Sequence, residues 1–272
     1  MTFKNLTCQL PGRRTLGLLV MLSALVLAPA LTWADEICPK RGGTIKEVDM
    51  NWAHLDSSSR FTAEFRIRVV YDSLIDVTKD LELRPGLATS WKQVNATTYD
   101  FELRKGVTFH DGTNFNADAV KFAMDRLIAG DLSGPSPFTG VWKKRLAKLE
   151  VTGPYSVRFV LTTPWPDFAL TLGSTFFVPS PTAVKKWGKD FGTRGIVGTG
   201  PFVLEEFRPK EWFAGKANPD YYRKGEPCVA RITVERIPSG SVRLLGLKKG
   251  DLTNVNTFPE SQLPLIEGAP NI

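Results

Sequence analysis

Polar and apolar residues alternate most regularly near residue 100, where Tyr99, Phe101 and Leu103 are separated by Thr98, Asp100, Glu102 and Arg104. A period of two marks a strand with one buried face. Lys105-Gly106 allows a change of direction, Val107 and Phe109 resume the alternation, and His110-Asp111-Gly112 is a turn signal. The period then lengthens. Val120, Ala123, Met124 and Leu127 follow helical spacing, and Asn116 is placed to cap the helix they define. Phe115 and Val120 flank that cap as a hydrophobic staple.

The rest of the chain shows the same two periods. Phe65, Val69, Val70 and Leu74 have helical spacing. Residues 130–138 are rich in Gly, Ser and Pro and read as a loop. Leu149 to Thr152 and the alternating arm Tyr155, Val157, Phe159, Leu161 read as a hairpin turning at Gly153-Pro154. Ser180-Pro181 opens a helix that Gly188 closes after Trp187. Thr44–Val48, Phe202–Phe207 and Ile232–Ile237 are strand-like, and a short helix with Leu244, Leu245 and Leu247 runs up to Gly250. There is no internal repeat or low-complexity segment. The mixture predicts an α/β lobe.

The N-terminus departs from this pattern. Lys4, Arg13 and Arg14 precede an apolar run from Leu16 to Ala28, and Thr32 and Ala34 stand at −3 and −1 of a cut before Asp35. This predicts a cleavable secretory signal over residues 1–34 and export from the cytoplasm. The run is shorter than the ~20 apolar residues a spanning helix needs. The signal carries three of the 35 basic residues and none of the 28 acidic ones, so cleavage lowers the formal charge from +7 to +4. That mild excess, without a basic run interleaved with aromatics, excludes a nucleic-acid partner.

Few residues suit catalysis. With His54 and His110 as the two histidines, neither a nucleophilic triad nor a metal site is expected, and His110-Asp111 reads as turn chemistry. Glu205 and Glu206 are consecutive in a strand and point to opposite faces. A secreted hydrolase would need a nucleophile–base pair that the sequence does not offer. No catalytic residue, metal or cofactor is assigned. Cys38 and Cys228 each stand shortly before a strand-like segment. If those strands are parallel neighbours, both cysteines sit at one sheet end, and a disulfide is expected in an oxidising compartment. Two separate buried thiols are the alternative.

Several ordered motifs carry a family likeness. They begin with Pro85-Gly86-Leu87-Ala88, Trp91, Tyr99-x-Phe101-x-Leu103-Arg104-x-Gly106-Val107-x-Phe109-His110-Asp111-Gly112 and Phe115-x-Ala117. Gly198-Thr199-Gly200-Pro201-Phe202 follows, then Asn218-Pro219-Asp220-Tyr221-Tyr222 with Gly225-Glu226-Pro227, and finally Ile237-Pro238 with Gly250-Asp251-Leu252. This series resembles the family 5 extracytoplasmic solute-binding proteins of ABC importers, which include oligopeptide- and dipeptide-binding proteins. The chain departs from the family at Ser57 (usually proline), Ser73 (glycine), Tyr222 (tryptophan) and Thr253 (aspartate).

The resemblance implies a periplasmic-binding-protein type II-like lobe, with a mixed sheet and an inserted α+β subdomain. The lobe core would be residues 35–57 and 190–260, the insert 58–189, and 261–272 the start of a crossover. The second lobe is missing on this reading, because the chain ends at Ile272. The implied role is a periplasmic, monomeric, non-catalytic receptor that binds a peptide and delivers it to inner-membrane permease subunits of an ABC importer. Other solutes such as nickel, an opine or an oligosaccharide are alternatives, as is a truncated remnant that binds nothing. By family position, the solute contacts would be Phe61, Thr62 and Ala63, then Phe138 with Trp142 nearby, then Asn256 and Phe258.

Overall fold

The computed structural model describes residues 38, 40–48, 54–57, 64–255 and 260–266. The signal reading over residues 1–34, and Phe61–Ala63, Asn256 and Phe258, lie outside them.

Two larger sheets organise the described chain. The first has five strands in the order β11-β1-β10-β9-β8. Its members are β1 (Thr44–Val48), β8 (Phe202–Arg208), β9 (Trp212–Ala217), β10 (Arg231–Glu235) and β11 (Asn254–Val255). β1 runs parallel to both β10 and β11, while β9 is antiparallel to β10 and β8, so the sheet is mixed. The second sheet is wholly antiparallel in the order β4-β5-β7-β6, from β4 (Ala88–Asn95), β5 (Thr98–Leu103), β6 (Leu146–Gly153) and β7 (Ser156–Leu161). A small ribbon, β2 (Ile75–Val77) with β3 (Leu83–Pro85), leads into it.

Each sheet buries one face. In the second sheet Tyr99, Phe101 and Leu103 point inward with Val157, Phe159 and Leu161, as their alternation predicts. Register sets Phe101 opposite Val157 and Tyr99 opposite Phe159. The helices on this core are α2 (Ala117–Ala129), α3 (Pro137–Arg145) and α4 (Phe168–Thr175). Phe168 of α4 is fully enclosed, with ring centroids 4.5 Å from Tyr99 and 5.4 Å from Phe159. The first sheet packs with α1 (Glu64–Val70) and α5 (Pro181–Trp187) around Val70, Tyr71, Val184, Phe191, Phe213, Ile232 and Val234. A last helix, α6 (Gly240–Lys249), precedes β11.

Helix ends follow the sequence signals. Asn116 accepts from Ala119 N at 3.0 Å, and Ser180 accepts from Ala183 N at 3.1 Å with Pro181 in the first turn. Gly130 and Gly250 close α2 and α6 with φ of 75° and 76°, the left-handed region that glycine enters freely.

Four local readings are corrected. The helix containing Val69 and Val70 stops before Leu74. After Val70 the chain is captured by tertiary bonds, with Gly200 N donating to Val70 O at 2.9 Å and Val178 N to Asp72 O at 3.1 Å. Val107 and Phe109 are buried as the alternation predicts, but they form no strand. Phe109 N bonds Thr113 O and Phe115 N bonds Val107 O, closing a short loop with a single Thr108–Asn114 bridge. The hairpin turns at Pro154-Tyr155, one residue later than expected. Residues 137 and 138 are helix, because the Ser136 hydroxyl accepts from Phe138 N at 3.2 Å and starts α3.

Candidate functional site

The parallel strands give the first sheet two unlike ends. At the amino ends, Cys38 and Cys228 are bonded, with sulfurs 1.98 Å and Cα atoms 5.3 Å apart. Gly42 N donates to Cys228 O at 2.9 Å, and Ala230 N to Gly43 O at 3.1 Å, so this end is closed by covalent and backbone links. At the carboxyl ends, Val48 is the register partner of both Glu235 and Val255. The chain therefore leaves three parallel strands side by side. Loops outside the carboxyl ends of parallel strands are where open α/β sheets hold ligands.

The short β11 pairs with β1, and the residue before it adds a second tie. Thr253 N donates to Lys46 O at 2.9 Å, and its hydroxyl accepts from Lys46 N at 2.8 Å. Threonine therefore fastens this edge at a position where the sequence departs from the pattern it resembles. Asn256 follows β11 directly in the chain.

The loop after β1 has its own anchor. Asp56 is fully buried and takes both guanidinium arms of Arg126, at 2.8 and 2.6 Å. Its Oδ2 also accepts from Ser133 N at 2.8 Å, and the Ser133 hydroxyl donates to Phe191 O. The Arg126 guanidinium lies 5.1 Å from the centre of the Phe191 ring. The Asp56 charge is tolerated away from water because both of its oxygens are bonded, while Arg126 Nε is buried without a hydrogen-bond partner. Leu55 N bonds Gly192 O at 2.7 Å, and Tyr71 OH donates to Leu55 O at 2.8 Å. His54 is buried beside them, and burial holds its ring below the usual histidine range against the pull of Asp56. Gly134 packs so tightly on His54 that a Cβ there would lie 2.3 Å from Nε2.

These anchors connect the places from which solute contacts were expected. The segment preceding Phe61 is tied through Asp56 to Ser133, three residues before the cap of α3. The strand preceding it, β1, is tied to β11 and so to the start of the Asn256 segment. Phe138 sits half-buried in the first turn of α3. Trp142 is different. It is 0% exposed, packed at tilted and edge-on angles among Trp165, Phe168 and Phe176, and its indole N–H donates to Thr175 Oγ1 at 3.2 Å. Trp142 is a core residue with no surface to offer a solute, and its expected role as a contact is corrected. Sequence reasoning missed Arg126 and Ser133; an arginine inside an apolar helical stripe was the available signal.

His110 does not face a nucleophile. Its Nε2 donates to Gly200 O at 3.0 Å, while Asp111 accepts from Thr113 and from Ser180 Oγ at 2.6 Å. This is turn chemistry that fixes the Gly198–Gly200 segment. Among the described residues no cluster of three His, Cys, Asp or Glu is placed to hold a metal. No described helix is long and apolar enough to cross a membrane.

Comparison with known proteins matches this geometry to a family. Residues 82–272 match the model of the bacterial extracellular solute-binding proteins, family 5 (middle region). The chain belongs to that family. It is a family of binding proteins rather than enzymes, and the mixed sheets correspond to its type II periplasmic-binding-protein fold. The glutathione-binding protein GsiB of Shigella flexneri is 32% identical over 256 residues, covering 92% of this chain and 49% of that protein. GsiB of Salmonella choleraesuis is 29% identical over 94% of this chain and 49% of its own length. Among solved structures, AppA of Bacillus subtilis with a nonapeptide superposes with a TM-score of 0.72 at 25% identity, covering 85% of this chain and 47% of that one. DppA of Helicobacter pylori with the peptide STSA shares the fold, with a TM-score of 0.76 at 24% identity over 85% of this chain and 50% of that one. The chain spans about half the length of the relatives it matches.

Proposed function

We propose that the chain provides solute-binding loops for an extracytoplasmic receptor of an ABC importer, and that the solute is a short peptide or a peptide-like molecule such as glutathione. The observation that carries this is the 32% identity with a glutathione-binding protein over 92% of the chain. The geometry supports it. Anchored loops leave one sheet end, and they carry the residue types a peptide needs. Asn256 can exchange hydrogen bonds with backbone amides, while Phe138 and Phe258 offer apolar surface to side chains. Phe61, Thr62 and Ala63 complete the proposed contact set. Binding is non-catalytic, and the energy for transport comes from the partner's ATPase. A Cys38–Cys228 bond suits export to an oxidising compartment, followed by work as a monomer beside inner-membrane permease subunits.

The test is calorimetric titration of the purified chain with reduced glutathione and with di- to pentapeptides. Saturable binding without turnover is expected for at least one of them. Phe138→Ala and Asn256→Ala should each weaken it about tenfold, or ~1.4 kcal/mol. Binding that neither substitution changes would remove these loops from the site, and hydrolysis of any probe would contradict the non-catalytic reading.

A further inference from the structure

Two loops that carry proposed solute contacts meet at bare backbone. The loop after β1 holds His54, Leu55 and Asp56 and leads toward Phe61. The loop between α2 and α3 holds Ser133 and Gly134 and leads to Phe138. Gly134 lies against the edge of the His54 ring, where a Cβ would come 2.3 Å from Nε2 and 2.8 Å from Cε1. Both distances are well inside van der Waals contact. The Gly134 backbone is outside the left-handed region, so the contact with His54, not the backbone, excludes a side chain.

His54 has little room to yield. Its residue is 7% exposed. The loop that carries it is held through the next two residues. Leu55 N is bonded to Gly192 O at 2.7 Å, and Leu55 O accepts from Tyr71 OH at 2.8 Å. Asp56 is gripped by Arg126, and its backbone presses on Gly192, where a Cβ would come 2.9 Å from Asp56 N. The opposing loop is set as firmly. Ser133 N donates to Asp56 Oδ2 at 2.8 Å, and the Ser133 hydroxyl donates to Phe191 O. From Gly134 the chain reads Gly-Pro-Ser-Pro-Phe, and two prolines of fixed φ make this link to Phe138 stiff. Ser136 Oγ accepts from Phe138 N at 3.2 Å, and Thr139 Oγ1 donates to Leu127 O at 3.0 Å, so the first turn of α3 is fixed as well. Whichever side yields to a larger residue at 134, the spacing between the two loops changes.

We propose that Gly134 is a positioning residue for the solute site: its lack of a side chain lets the two loops close on His54 and so sets the distance between Phe138 and the segment that follows Asp56. This rests on the solute contacts proposed above and adds the residue that spaces them. A side chain at 134 widens the gap, and a solute that spans both loops then meets one of them less well.

Calorimetric titration with reduced glutathione, or with the short peptide that binds most tightly, tests this in a cycle of Gly134→Ala, His54→Ala and the double variant. It is run at a temperature where circular dichroism shows every variant folded, so that lost stability does not register as lost affinity. Gly134→Ala should weaken binding about tenfold in the native chain but less than about twofold once His54→Ala has removed the ring, because the effects of touching residues do not add. An equal loss in both backgrounds, or no loss in the native chain, overturns the proposal. Phe138→Ala separates this from the reading beneath it. If Phe138→Ala weakens binding and Gly134→Ala does not, the positioning role alone fails. If no probe binds, or Phe138→Ala changes nothing, the solute site fails and the positioning role with it. Should Gly134→Ala not fold, the double variant decides. Folding restored by His54→Ala, with affinity within about twofold of the His54→Ala chain, supports the role, and a double variant that still does not fold or bind overturns it.

Discussion

Asp56 shows what a single residue contributes to this fold. With both oxygens committed to Arg126 and Ser133, replacing it leaves a buried guanidinium without its anion. Asp56→Asn or Arg126→Met should destabilise the chain by about 3–5 kcal/mol, read from denaturant unfolding. Loss of the Asn116 cap by alanine should cost about 1 kcal/mol in the same assay. His110 supplies a pH dependence. Burial holds its ring below the usual 6.5, so the fold favours the neutral form. The stability it contributes is present above pH 6.5 and is lost as pH falls through the lower folded value. His110→Gln, which keeps a donor toward Gly200 O, should flatten that acid-side slope. The cap was legible in the sequence because Asn116 and the stripe it serves are close together in the chain. The Asp56–Arg126 pair was not, because seventy positions separate partners that no local pattern connects.

At the level of elements, burial was easier to read than boundaries. The alternation of Tyr99, Phe101 and Leu103 and of Val157, Phe159 and Leu161 placed the right faces inward, since a strand exposes alternate residues by geometry alone. The helix stop at Val70 depends on Gly200 and Val178, far along the chain, and periodicity could not register it. Trp142 is instructive in the same way. A tryptophan beside a Ser-Pro-Phe turn has the composition of a groove wall, yet α3 rotates it onto Phe168 and Phe176. Phe168 is the hub of this cluster. Phe168→Ala should cost about 3–5 kcal/mol and broaden the aromatic resonances of Tyr99 and Phe159. A cost below ~1 kcal/mol would show that the cluster is looser than its packing indicates.

Across the whole molecule, the two ends of the parallel strands do different work. One end is bonded through Cys38 and Cys228, residues 190 positions apart. Reduction, or serine at both positions, should lower stability by about 2–5 kcal/mol, since so long a loop is costly to close in the unfolded chain. The other end sends out the segments proposed to hold solute. That division was partly legible, because the strands that follow each cysteine could be read but their parallel pairing could not. Hydrogen exchange with and without saturating reduced glutathione, or whichever short peptide binds, tests the account most directly. New protection should appear around residues 54–57, 133–138 and 253–258, and the disulfide end of the sheet should not change. Protection confined to other surfaces would contradict a solute site at the carboxyl ends of the strands.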